Sequence, residues 1–290
     1  MIQKASSEVH EDVSRAYTRA IEKTVVRHSE GSGCCGGTTC CEPAGVAATA
    51  AETTQHGYGD DLAGIPAAAA QSSFGCGNPL AFAGVQEGDT VLDLGSGAGL
   101  DLLVAARKVG PTGRVIGIDM TDAMIAAAER NIAEAGVANV EVRKGLIEAL
   151  PVEADSVDWV ISNCVINLSP DKQRVLAEIH RVLRPGGRFS ISDIVVESLP
   201  RWLREHGAAY AACISGAISE DAYRRGLEDA GLDQVEVSER LVYDAAQLRG
   251  IVASDLDNLG LPSAEIERGI DEVAGKVWSA KLTGRKPTVS

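Results

Sequence analysis

Positive charge is scarce in this sequence. Lys and Arg number 27 against 41 Asp and Glu, leaving a formal net charge of −14. A surface this acidic repels phosphate backbones and anionic lipid headgroups, which excludes nucleic acid and membrane surfaces as expected partners. Long apolar runs are missing too. The longest, near residues 46–51 and 65–70, fall well short of the ~18 residues a membrane span needs. The opening MIQKASSEVHEDVSRAY has no apolar core of the kind a secretory signal carries, so the expected compartment is cytoplasmic. Cysteine is present, with seven residues in 290. An odd number cannot pair completely within one chain, and in a reducing compartment such residues read as ligands or redox groups rather than structural disulfides. With 45% apolar and 23% charged residues, the composition is that of a globular protein able to bury a sizeable core.

Three regions differ in their patterning. Val9, Val13, Tyr17 and Ile21 recur four residues apart, predicting an amphipathic helix to about residue 24. A loop follows at GSGCCGGTTCCEPAG, residues 31–45, marked by its Gly, Ser and Pro content. Residues 46–83 are rich in Ala and Gly and predict short helices and loops. From residue 89 short apolar runs alternate with helical stretches. Strands are predicted at 90–95, 115–119, 140–143, 157–162 and 188–195, and helices at 100–108, 122–135 and 171–183. That alternation implies βαβ units and a mostly parallel sheet with flanking helices. Further helices are predicted at 200–213, 219–230 and 264–277, and VEVSERLVY (235–243) alternates as an edge strand does. The expected organisation is an N-terminal extension with a Cys-rich loop (1–73), one α/β domain (74–243) and a helical acidic C-terminal tail (244–290).

VLDLGSGAGLDLL places Gly95, Gly97 and Gly99 between a strand and a helix. Glycine lets a backbone turn tightly and approach a ligand, and the N–H groups opening the next helix face that ligand. Asp119 closes the following strand, where an acid can accept hydrogen bonds from ribose hydroxyls. A dinucleotide site usually reads G-x-G-x-x-G; here the spacing is G-x-G-x-G, with Asp93 two residues before the first Gly. A tight turn without a ligand is the plain alternative.

Cys164 directly follows the fourth predicted strand, at the strand end where open α/β sheets bind ligands. Cys213 lies on the helical segment after the fifth strand, and Cys76 sits between glycines just before the sheet begins. Three thiolates suit a soft, thiophilic acceptor such as trivalent arsenic, which binds sulfur and keeps a lone pair that can attack a methyl group without a general base. Buried cysteine serving only as a small apolar residue is the alternative.

The pattern D-L-G-S-G-x-G resembles motif I of class I S-adenosylmethionine-dependent methyltransferases. SNCVINLSPDK (162–172), FGCGNP (74–79) and DLGSGAGLD (93–101) together look like the signatures of arsenite methyltransferases. The resemblance implies a Rossmann-like class I methyltransferase fold and S-adenosylmethionine as cofactor. It implies cofactor contacts at Asp93, Gly95, Ser96, Gly97, Gly99, Asp119, Met120, Ile147, Glu148 and Asn163. It implies arsenic ligation and catalysis by Cys76, Cys164 and Cys213, on arsenite or thiol-bound trivalent arsenic. Cys34, Cys35, Cys40 and Cys41 are the redox candidates, with glutathione or thioredoxin as thiol reductant; a zinc site there lacks a completing His or Cys pair. Two positions depart from the family pattern: Ala212 stands where an acid is often found, and Phe74 where a tyrosine is. An organic small-molecule methyltransferase of the ubiquinone or sterol type, and a thiol-rich metalloid-sequestering protein, are the competing readings.

Overall fold

The structure is a computed structural model that describes residues 5–30, 58–72, 84–200, 213–253 and 262–288. A seven-stranded sheet has the order β3-β2-β1-β4-β5-β7-β6. Its strands are β1 (Thr90–Leu94), β2 (Arg114–Asp119), β3 (Val140–Lys144), β4 (Val157–Asn163), β5 (Leu183–Val196), β6 (Asp233–Val242) and β7 (Val277–Arg285). The first five run parallel; β7 is antiparallel to both β5 and β6. Strands β1, β2 and β4 are near-continuous buried apolar runs, as expected where helices cover both faces of a parallel sheet.

The helices are α1 (Ser6–Glu30), α2 (Ala67–Gln71), α3 (Leu100–Val109), α4 (Asp122–Ala135), α5 (Lys172–Val182), α6 (Glu220–Asp229), α7 (Ala245–Ala253) and α8 (Ser263–Val273). Local signals set several ends. Gly136 closes α4 in the left-handed conformation at φ +66°, where a Cβ is disfavoured. The side chain of Asp171 accepts from Arg174 N at the start of α5, and Ser219 accepts from Ala222 N at the start of α6. Pro170 therefore lies outside α5, before its cap. Pro185-Gly186-Gly187 falls within the irregular start of β5, where the register against β4 shifts.

One sequence expectation is corrected. Residues 244–290 are not simply a helical tail. They include β7, which inserts between β5 and β6 and pairs with β5 from Val196↔Val277 to Arg188↔Arg285. The sheet accordingly extends beyond the expected boundary at 243. Strand β6 lies at the sheet edge as its alternation predicts. The predicted helix at 200–213 falls almost wholly outside the described residues. No helix among the described residues is long and apolar enough to cross a membrane.

Helix α1 crosses the carboxyl ends of the strands. Val13 packs in a cluster with Cys164 and Leu168, and Ile21 packs on Ala98, Met124 and Ala127. The four-residue apolar spacing visible in the sequence is thus the face turned to the sheet.

Candidate active site

A cleft of about 920 Å³, including its open mouth, lies at the carboxyl ends of β1, β2 and β4. The glycine turn after β1 forms its floor. Gly95 N and Ser96 N donate to Ile118 O at 2.8 and 3.0 Å, which fastens the turn to β2. At φ +68° Gly95 adopts a conformation that favours glycine, and a Cβ there would collide with the Val165 side chain. Gly97 has φ +51°, yet nothing lies within 4 Å of where its Cβ would be; the backbone there faces open cleft. Gly99 is the N-cap of α3.

Asp119, at the end of β2, accepts from Gly97 N through Oδ2 (3.0 Å) and from Thr121 N through Oδ1 (2.8 Å). Burial in the cleft wall raises its pKa, and the two N–H donors oppose that rise. Met120 and Ile147 also line the cleft. Ile147 is joined there by Glu148, whose Oε1 accepts from Ser169 Oγ (2.5 Å) and lies 3.0 Å from Nε2 of His10 on α1. Asp93 is fully enclosed beneath the turn. Burial, then the charges of Asp101 and Asp119, push its carboxyl well above the usual range, and its Oδ2 has no hydrogen-bond partner. Ser96 Oγ is likewise buried without a partner while its residue lines the cleft. A backbone cradle open to the cleft, an unpartnered hydroxyl and a carboxylate at the neighbouring strand end fit the polar groups and sugar hydroxyls of S-adenosylmethionine.

Asn163 ends β4 and joins Asp101 and Tyr58 in a hydrogen-bonded trio, of which only Tyr58 escaped sequence reasoning. Tyr58 Oη donates to Asp101 Oδ1 at 2.7 Å, and Asn163 Nδ2 donates to Tyr58 Oη and Asp101 Oδ2 at 3.2 and 3.3 Å. Burial raises Asp101 to about 6. Tyr58 gave no signal because it sits in a Gly-rich stretch without periodicity.

The thiol side adjoins this floor. Cys164 and Cys213 are 4% and 3% exposed, and both hold left-handed backbones at φ +59° and +63°. Such conformations cost about 1–3 kcal/mol for residues with a Cβ and persist only where surrounding structure enforces them. Cys164 N donates to Ser192 O (2.8 Å), and Cys213 Sγ donates to Cys164 O (2.7 Å). Cys164 lines the cleft. Its sulfur is disulfide-bonded, so the structure is oxidised at this position. Cys34, Cys35, Cys40, Cys41 and Cys76, with Phe74 and Ala212, lie outside the described residues.

Comparison with known proteins places this geometry. The family described as "Methyltransferase domain" matches residues 85–231. A solved arsenic(III) S-adenosylmethionine methyltransferase from Chlamydomonas reinhardtii superposes with a TM-score of 0.62 and 33% identity, covering 86% of this chain and 75% of that one. The chain belongs to the arsenite methyltransferase family. The arsenite methyltransferase of Halobacterium salinarum is 49% identical over 180 residues, covering 62% of this chain and 46% of the relative. The human arsenite methyltransferase is 41% identical over 155 residues, covering 50% and 41%. The chain thus spans less than half the length of these curated relatives.

The buried acids make one prediction for the cofactor-free protein. Asp101 and Asp193 are raised, to about 6 and about 7, both chiefly by burial. A carboxyl raised on folding contributes stability that is complete in acid and lost as pH rises through the folded value. Glu178 and Glu220 are lowered by Arg partners, so their contribution fails only below the ordinary glutamate range. His180 is lowered by burial and Lys286 and opposes the trend weakly. Between pH 8 and pH 5.5 the melting temperature is expected to rise by roughly 4–8 °C, the equivalent of about 2 kcal/mol. Calorimetry across that range checks it; a flat or falling melting temperature refutes it.

Proposed function

We propose that this protein transfers methyl groups from S-adenosylmethionine to trivalent arsenic held by cysteine thiolates. The observation that carries the reading is Cys164 in the wall of a cleft floored by the glycine turn, with Cys213 Sγ seated behind it at 2.7 Å from the Cys164 carbonyl. Two cysteines thus stand together beside the proposed cofactor floor, and sulfur is the donor trivalent arsenic prefers. Cys76 completes the proposed ligand set.

The turn at Gly95, Ser96, Gly97 and Gly99, with Asp93 beneath it, holds the amino-acid end of the cofactor. Asp119 and Met120 hold its ribose, and Ile147, Glu148 and Asn163 flank the remainder. When bound, S-adenosylmethionine would supply an electrophilic methyl group to which the arsenic lone pair can donate. The protein's own part is orientation and exclusion of water: α1 roofs the cleft with Val13 and Tyr17. Among the described residues no proton-accepting side chain is needed, because the arsenic lone pair is already available.

Cys164 must be reduced before it can ligate. Two electrons and two protons from a cellular thiol open its disulfide to two thiols. Glutathione or thioredoxin in a reducing cytosol is the proposed source. Each transfer leaves arsenic formally pentavalent, and two electrons return it to the trivalent state as two thiols become a disulfide; Cys76 with one of Cys34, Cys35, Cys40 or Cys41 is the proposed pair, itself re-reduced by the cellular thiol.

The test is direct. Reduced protein is incubated with arsenite, thiol and methyl-labelled S-adenosylmethionine, and arsenic species are separated. Label in methylated arsenicals supports the reading. Arsenite binding without label identifies a sequestering protein instead, and label only in an added quinone or sterol identifies an organic-substrate methyltransferase.

A further inference from the structure

Asp193 stands in β5, fully buried, one residue beyond Ser192, whose carbonyl accepts from Cys164 N, and outside the lining of the cleft. Its carboxylate accepts four hydrogen bonds. Oδ1 takes Asn167 Nδ2 (2.8 Å) and Ile194 N (2.9 Å); Oδ2 takes Asn167 N (3.2 Å) and Tyr223 Oη (3.1 Å). These donors belong to different pieces of chain. Asn167 lies in the turn that follows Cys164, and Lys172 Nζ braces that turn further along by donating to Asn167 O and Ser169 O, both at 3.1 Å. Tyr223 lies on α6, the first helix after Cys213. Between them the chain bridges Ile218 to Val195 of β5.

Both cysteines hold backbone conformations that local sequence does not favour. Something must over-determine them. A buried carboxylate saturated by four donors is unusually rigid, because leaving any donor unmet in the interior is costly. Asp193 is the point where the Cys164 turn and the chain leading from Cys213 are fixed to the same strand.

We infer that Asp193 is a positioning residue for the arsenic site, setting the separation of Cys164 and Cys213 through Asn167 and Tyr223. This rests on the proposed function. Asparagine at 193 keeps the shape but turns an N–H toward Asn167 N or Nδ2, so one anchor of the turn is lost. The cofactor floor, built on β1 and β2, is untouched.

The experiment uses the full, reduced chain and phenylarsine oxide, a trivalent arsenical, as probe. Asp193→Asn is expected to weaken arsenical binding about tenfold while S-adenosylmethionine affinity stays within about twofold. In turnover, the KM for arsenite rises by more than kcat falls. In a Cys213→Ser background the same substitution adds less than about twofold, because separation no longer matters once one ligand is gone. Unchanged arsenical affinity, equal loss of arsenical and cofactor binding, or an undiminished effect in the Cys213→Ser background would each overturn the assignment. Should Asp193→Asn fail to fold, Tyr223→Phe removes a single donor and is expected to weaken arsenical binding about threefold; no change there overturns it too. A wild-type protein that binds no arsenical sinks the proposed function itself. A wild-type protein that binds while Asp193→Asn binds equally well sinks only the positioning role.

Discussion

Cys213→Ser is expected to lower arsenic methylation by at least ~100-fold while cofactor affinity stays within about twofold. The structural cost of this change is small. A serine hydroxyl can still donate to the Cys164 carbonyl, where Cys213 Sγ now donates at 2.7 Å, so the segment keeps its seat. What disappears is a soft donor. Oxygen is a hard ligand and holds trivalent arsenic poorly against water and free thiols. Speciation of arsenic products by mass spectrometry, with calorimetric cofactor titration in parallel, reads both halves. Wild-type turnover by the serine variant would show that this sulfur is not a ligand.

Gly97→Val should abolish measurable cofactor binding, a loss of at least ~100-fold. Two effects act together. At φ +51° a β-branched residue is strained. The position its side chain would take has no protein atom within 4 Å, so the valine projects into the space the cofactor needs. Gly97→Ala isolates the smaller part and should show an intermediate loss. The bond from Gly97 N–H to the Asp119 carboxylate does not use the side chain at 97, which keeps the turn itself formed. Calorimetric titration of the valine variant with wild-type affinity would remove the glycine turn from the cofactor site.

The elements with a strong period were legible in the sequence. Asp122–Ala135 matched its helix at both ends, bounded by the extended Thr121, whose side chain makes no capping bond, and by the left-handed Gly136. Strands β1, β2 and β4 were legible as short apolar runs between turn residues. Strand β7 was not: VWSAKLTGR mixes polar and apolar residues after two acidic helices, and only its pairing with β5 and β6 makes it a strand. Asp193 was hidden in the same way, since a lone acid inside RFSISDIV discloses nothing of the donors that converge on it. Cys164 and Cys213 stood out in the sequence through the motif around the first, and the structure places them together. Their left-handed backbones and the disulfide at Cys164 were not, because both depend on contacts distant in sequence. The roof formed by α1 was half legible. Its apolar face showed as a four-residue spacing, but no feature of that spacing says that His10 meets Glu148.

The place of β7 bears on how the protein is made. Residues 277–285 are synthesised long after both of the strands they separate, 183–196 and 233–242. A nascent chain lacking them presents the open edge of β5, the strand that carries Asp193, and a β6 hairpin partner with nothing to pair to. Zipping β6 directly onto that edge would trap the sheet in a wrong order, so the correct product requires the earlier strand to wait for the later one. The strand that carries Asp193 therefore gains its second neighbour only after residues 277–285 have been made, and the seat of the Cys164 turn is completed with it.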